Sequence, residues 1–386
     1  MRRALLLTTI IAVSPAHALS ATPAVGQSAN IGKLLSWFVD EKRGEVSDAI
    51  TVGESPMGIG PGLLAARDVN AGECIMTVPG SACMSALDAV EDPDIGEAAR
   101  LCLWYFGYST GTEGMVTAAL LAMARYAEGS AARKRWGPYA DSLPWAPSGG
   151  DSGESDPMAF HPFMSSEIDW MRSSLGPKYY QCKAAAYNVR LIVADAVGEL
   201  ISEEQCFRAL MLVASRCFEL TDLGSGSEQD GSTSSKKTRL EYTTASDGGE
   251  EKEIQWGAVM VPALDLCNHP SISGIRRAGH LGERFQAAVF SSEAWRAKRH
   301  PAEGTISLST EWAPATATAP SSATEKGLCS RRLETLTVRS PSGLDVKAGE
   351  ELLKWYGDAG WGEPTAEERH EKEAGFVAQF GFSPWQ

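Results

Sequence analysis

The middle of this chain is written in one hydrophobic period and its flanks in another. From about Ala89 to Leu220 the apolar residues recur as they do along helices, broken by a Pro/Gly/Ser loop at 144–157. On either side lie short apolar runs bounded by turn residues, the pattern of strands. The fold class this predicts is α+β: small sheets interrupted by a large helical insertion.

Leu63 to Ala66 and Cys74 to Val78 read as strands, joined by a turn at Asn70-Ala71-Gly72. Strands resume at Val259, and the end of the chain reads as a strand, a Tyr-Gly turn and a helix. The sequence DVNAGE at 68–73 returns as DVKAGE at 345–350, and each copy is expected to form a strand-turn-strand hairpin. One echo does not make a repeat architecture. Among the helices, Asn30–Val39 is short and amphipathic, and a second runs from about Tyr180 to Leu200. A third starts at Ser202, which forms an S-x-x-Q capping box with Gln205, and continues through FRALMLVASRCFEL to Leu220. Residues 224–254 are rich in Ser, Gly and charge and are expected to be disordered, as is a loop within about 290–335.

The first thirty residues are set aside. Arg2 and Arg3, an apolar run from Ala4 to Val13 and Ala16-His17-Ala18 have the layout of a signal peptide, too short to span a membrane. With no acidic residue before Asp40, a plastid or mitochondrial transit peptide fits as well, so the address is an organelle or the secretory pathway. The remaining segments are 31–88, 89–223, the loop 224–254, and 255–386. A formal net charge of −14 argues against a nucleic-acid partner, which calls for a basic stripe. No membrane partner is expected after processing. Eight cysteines contain no C-x-x-C and mostly sit in apolar runs, so buried thiols are expected rather than a disulfide framework or a zinc site.

Four stretches carry chemistry. VPALDLCNHP, Val261 to Pro270, sets Asp265, Asn268 and His269 into an otherwise apolar segment; a metal site is disfavoured, because only six histidines exist and none has ligand spacing. By itself this reads as an Asx turn ending a strand. Gly150-Asp151-Ser152-Gly153 resembles a protease nucleophile loop but has no partner motif, and a hydrolase using Ser152 is the weakest reading. Gly60-Pro61-Gly62 leads into a strand rather than a helix, which disfavours a dinucleotide fingerprint and leaves a turn that a ligand can approach closely. Arg216 lies opposite the Phe207/Leu210/Met211 stripe of a helix that Leu212 and Val213 make apolar most of the way round. A guanidinium there calls for a carboxylate, as in an ion pair with Asp265, or for a ligand.

Taken in order, these pieces resemble the SET-domain protein methyltransferases of the Rubisco large-subunit lysine methyltransferase type. Gly60-x-Gly62-Leu63-x-Ala65 with Arg67-Asp68-Val69 and Gly72-Glu73 is similar to the family's opening. RWGPYADSLP, ASRCF, VPALDLCNHP, AGEELLKWYG and FGF are similar to its later segments. The resemblance spans roughly 55–382 and implies a SET-type β fold of small sheets with knot-like C-terminal threading. It implies S-adenosylmethionine as cofactor, held by Gly60, Pro61, Gly62, Arg216, Asn268 and His269. Arg216, Asp265 and Phe380 would stand at the substrate, and Tyr356 would line the channel as the catalytic residue. The implied partner is a protein substrate methylated on lysine, with histidine an open alternative, and no metal is required. Phe380 stands where the family usually has Tyr, and the family's helical C-terminal substrate-binding domain is expected to be missing. Both motivate the alternative of a degenerate SET-like module that binds protein without catalysis.

Overall fold

The computed structural model describes residues 25–55, 61–107, 109–143, 145, 184–219, 258–267, 308–314, 334–341 and 345–354. Residues 1–24, Gly150–Gly153 and 224–254 lie outside them, as do Gly60, Asn268, His269, Tyr356 and Phe380, whereas the loop expected to be disordered within about 290–335 contains a strand, Ser309–Pro314.

Strands from opposite ends of the chain pair with one another. β1 (Glu45–Val46), β4 (Cys74–Pro79), β9 (Glu334–Arg339) and β8 (Ser309–Pro314) form one antiparallel sheet in the order β1-β4-β9-β8. In β9 the alternation that defines a half-buried strand is visible, with Leu336 and Val338 fully buried and Thr335 and Thr337 only partly so. In β4 a register shift between Cys74 and Met76 breaks the alternation, so that Ile75 and Met76 are both buried. β2 (Ile50–Glu54) and β3 (Pro61–Ala65) make a two-stranded sheet. β5 (Met84–Ser85), β7 (Ala258–Met260) and β6 (Cys217–Glu219) make a third, with β7 in the centre.

Seven helices are described: α1 (Val25–Asp40), α2 (Ala86–Glu91), α3 (Gly96–Phe106), α4 (Thr110–Tyr126), α5 (Ala131–Ser142), α6 (184–197) and α7 (Glu203–Arg216). α1 begins five residues before its expected start. None is long and apolar enough to cross a membrane. α4 is the hub, packing on α2, α3, α5 and α7. Its segment Val116–Ala124 is buried on every side, and its many alanines let neighbouring helices approach. The box on α7 forms as its spacing predicts: Ser202 Oγ accepts from Gln205 N at 3.2 Å and Gln205 Oε1 from Ser202 N at 2.8 Å.

Two expectations are corrected. The helix that starts at Ser202 stops at Arg216, not Leu220. Cys217 turns to extended backbone, and Cys217, Phe218 and Glu219 pair with Met260, Val259 and Ala258. Cys and Phe are indifferent helix formers, and a waiting strand edge decides their state.

The two echoed hexapeptides are not hairpins either; they pair with each other. Val69 and Val346 exchange both backbone hydrogen bonds, at 2.8 and 2.9 Å. Asp345 Oδ1 accepts from Ala71 N and Asp68 Oδ1 from Ala348 N, each at 3.0 Å. Within each turn the closing glutamate accepts from the backbone N–H three residues earlier, Glu73 from Asn70 and Glu350 from Lys347. Gly72 and Gly349 occupy matching left-handed positions at φ 74° and 82°. The pairing continues along β3, where Ala65 N donates to Glu350 O and Leu352 N to Leu63 O. β3 is therefore held between β2 and the segment 349–352.

Candidate functional site

From Val261 to Cys267 the chain makes a tight reversal. After β7, Val261 O accepts from Asp265 N at 3.1 Å, and Leu264–Leu266 form one turn of 3-10 helix. The bend requires backbone strain, Ala263 sitting at φ 71° and ψ −39° in a region that side-chain-bearing residues avoid. Asp265 consequently points inward, 4% exposed.

Two groups meet it. Tyr139, from α5, donates its hydroxyl to Asp265 Oδ2 at 2.7 Å. Arg216, the last residue of α7, donates through Nη1 to the Asp265 carbonyl at 2.7 Å and lies 4.0 Å from Oδ2. The ion pair anticipated between Arg216 and Asp265 is thus present, and a helix C-terminus is a favourable place for its cation. Burial pushes the Asp265 carboxyl up; Arg216 and then the Tyr139 hydrogen bond oppose that. Burial, followed by the Asp265 charge, holds the Tyr139 hydroxyl well above the usual phenol range, so it is a neutral donor at neutral pH. Asp265 Oδ1 and Arg216 Nε are buried without a hydrogen-bond partner. Unsatisfied polar atoms of this kind are rare in native interiors, and they mark a place where another polar group is needed.

The third piece is the segment after the second echoed turn. Glu351 pairs with Leu64 on β3, and its Oε2 accepts from Ser55 Oγ at 2.5 Å. Leu308 N donates to Leu353 O, and the buried Lys354 Nζ donates to Leu308 O at 3.2 Å. Cys267, at the end of the Asp265 turn, is buried, and its thiol is pushed up by burial first, then by Glu351 and Asp265, with Lys354 opposing. β3 itself packs on the 264–266 turn.

The structure therefore packs β3, which begins at Pro61 and Gly62, on the turn that carries Asp265, and Arg216 meets that turn from α7. Gly62 faces Gly53 and Pro61 faces Glu54 in the β2–β3 ladder. Sequence reasoning missed Tyr139, Ser55 and Glu351 as members. A buried tyrosine needs an acceptor, which is the one signal that could have linked Tyr139 to Asp265. Nothing local links Ser55 to a carboxylate 296 residues away. Among the described residues no cluster of three His, Cys, Asp or Glu is placed to hold a metal ion. An open cleft of about 600 Å³ lies between α1 and α5, lined by Lys33, Trp37, Asp40, Glu41, Pro138 and Asp141. It includes none of the residues expected to contact cofactor or substrate.

No family model matches the sequence, and no curated protein matches it. Solved structures do match. The SET domain of LSMT bound to lysine and AdoHcy gives a TM-score of 0.50 over 94% of this chain and 58% of that chain, at 18% identity. Rubisco LSMT bound to AdoMet gives 0.47 over 92% and 56%, at 15% identity. This chain spans less than two thirds of the length of either. The first likeness shows the fold: the chain has the α+β architecture of a SET domain, with mixed helices and small antiparallel sheets.

Proposed function

We propose that this chain transfers a methyl group from S-adenosylmethionine to a protein side chain, the ε-amine of lysine. The observation that carries the reading is the convergence of β3, the Asp265 turn and the 349–354 segment on a SET-type fold. The first two carry motif positions that the resemblance assigns to cofactor and substrate, and the third leads directly to Tyr356. The SET domain of LSMT, which shares the fold, has been solved with lysine and AdoHcy bound.

The residues present fit such a cofactor. Gly62 carries no side chain, and the backbone of Gly60, Pro61 and Gly62 would face the cofactor. Arg216 Nε is a buried donor still lacking a partner. Asn268 and His269 follow directly after Cys267 and would supply side-chain hydrogen bonds to the cofactor. When bound, the cofactor supplies an already activated methyl group. The chain's work is then to position and desolvate. A lysine amine in a narrow, dry channel is shifted toward its neutral, nucleophilic form, because burial disfavours the ammonium. The Tyr356 hydroxyl would hold that amine in line, with Phe380 as the apolar wall beside it. Arg216 and Tyr139 fix Asp265, which would face the substrate side.

Calorimetric titration of S-adenosylmethionine into the full chain, beside Asn268→Ala, tests this. Saturable binding that the variant weakens supports the proposal, and folded protein that binds no ligand rules it out. A second reading, a SET-fold module that binds protein without turnover, is favoured by Phe380 alone. It is distinguished by cofactor binding without incorporation of labelled methyl into any protein.

A further inference from the structure

Glu351 touches more of the site than its place in the motif requires. Its backbone pairs with Leu64 on one edge of β3, while its carboxylate reaches the residue just after β2 on the other side. That residue, Ser55, follows Glu54, whose ladder partner is Pro61. Both side chains are buried, Ser55 at 6% and Glu351 at 4% exposure. The same carboxylate acts on the Cys267 thiol at the end of the Asp265 turn.

We propose that the Ser55–Glu351 hydrogen bond is the positioning contact of the cofactor pocket, setting the affinity for S-adenosylmethionine by fixing the Pro61–Gly62 backbone against the Asp265 turn. The inference rests on the methyltransferase reading and adds to it two residues that touch neither cofactor nor substrate. A hydrogen bond from a hydroxyl to a buried carboxylate is short and directional, here 2.5 Å. Without the hydroxyl, Glu351 loses its tie to the end of β2, and any shift of Glu351 pulls on Leu64 and β3. A ligand seated on backbone tolerates such displacement poorly, because its contacts depend on positions held to about 0.5 Å. Ser55→Ala removes a single oxygen, so a contact that merely packs would change little.

The test is calorimetric titration of S-adenosylmethionine into the full chain and four variants, with thermal melts of the ligand-free proteins. Ser55→Ala is expected to raise the dissociation constant about tenfold, the scale of one charge-assisted hydrogen bond. Ser55→Thr, which keeps the hydroxyl, should bind like the parent. Ser340→Ala removes a different buried hydroxyl, bonded to Asn70 O at 2.6 Å, and should lower the melting temperature without changing affinity. Glu351→Gln keeps an acceptor and drops its charge, and it covers the case in which Ser55→Ala does not fold; weaker binding supports the proposal. Parent-like affinity in Ser55→Ala or Glu351→Gln overturns it and leaves the methyltransferase reading standing. So does a Ser340→Ala variant that weakens binding as much as Ser55→Ala, since affinity would then follow stability alone. A parent that binds nothing overturns both.

Discussion

Asp265 is held by a hydroxyl that cannot easily be replaced. Tyr139→Phe leaves Oδ2 without its donor, beside an Oδ1 that already has none, and is expected to destabilise the fold by about 1–3 kcal/mol in urea denaturation. The effect has a pH signature. The folded Tyr139 holds its proton above the unfolded phenol value near 10, so the folded state binds more protons than the unfolded one at high pH. Stability from that group is fully present below about pH 10 and is lost as pH rises beyond it. The stability gap between parent and Tyr139→Phe should therefore narrow from about pH 8 to about pH 11; a constant gap would show that the tyrosine is not buried against the carboxylate. The thiols give a second check. Cys74 is exposed, whereas burial raises Cys102 to about 11 and Cys206 to about 12 and leaves Cys83, Cys217 and Cys267 enclosed. Mass mapping after brief alkylation at about pH 8 should find Cys74 labelled and those five spared until the protein unfolds. Residue-level legibility was uneven for a physical reason. Arg216 was readable because a guanidinium at the end of a largely apolar helix must find a carboxylate. Tyr139 was not, because its acceptor comes from another part of the chain.

Elements were most legible where their signals are local. The Ser202–Gln205 box predicted the start of α7, and Ser202→Ala should cost about 0.5–2 kcal/mol in thermal or urea unfolding, since it removes one of two reciprocal bonds. The end of the same helix was not legible, because Cys217-Phe218 suits a helix as well as a strand until Val259 and Met260 are alongside. The echoed hexapeptides show the same limit. Their turns are local, with glycine at the left-handed position, but the Asp68–Ala348 bond that joins them spans 280 residues. Space is open around both glycines, so Gly72→Ala and Gly349→Ala should each cost about 1–2 kcal/mol from backbone strain alone. Equal losses in urea unfolding are expected, because the two turns are built alike. A negligible loss at either would mean that its turn can relax.

At the scale of the whole molecule, the fold is closed late. β4 cannot complete its sheet until β9 has been made, and β3 lacks its second neighbour until residues 349–352 arrive. Pairings so distant in sequence are slow to find. A truncation after residue 333 should leave Ile75, Met76 and Val78 without cover, giving a species that binds a hydrophobic dye and unfolds without a sharp transition. Cooperative unfolding of that fragment would mean that β9 is dispensable.

A surface that pairs with its own likeness within one chain will also pair with it on a neighbour. The N-terminal turn of one copy presents the same backbone partners to the C-terminal turn of another as it does to its own. Refolding at high concentration should therefore yield domain-swapped dimers joined through Val69 and Val346, separable by gel filtration and suppressed by dilution.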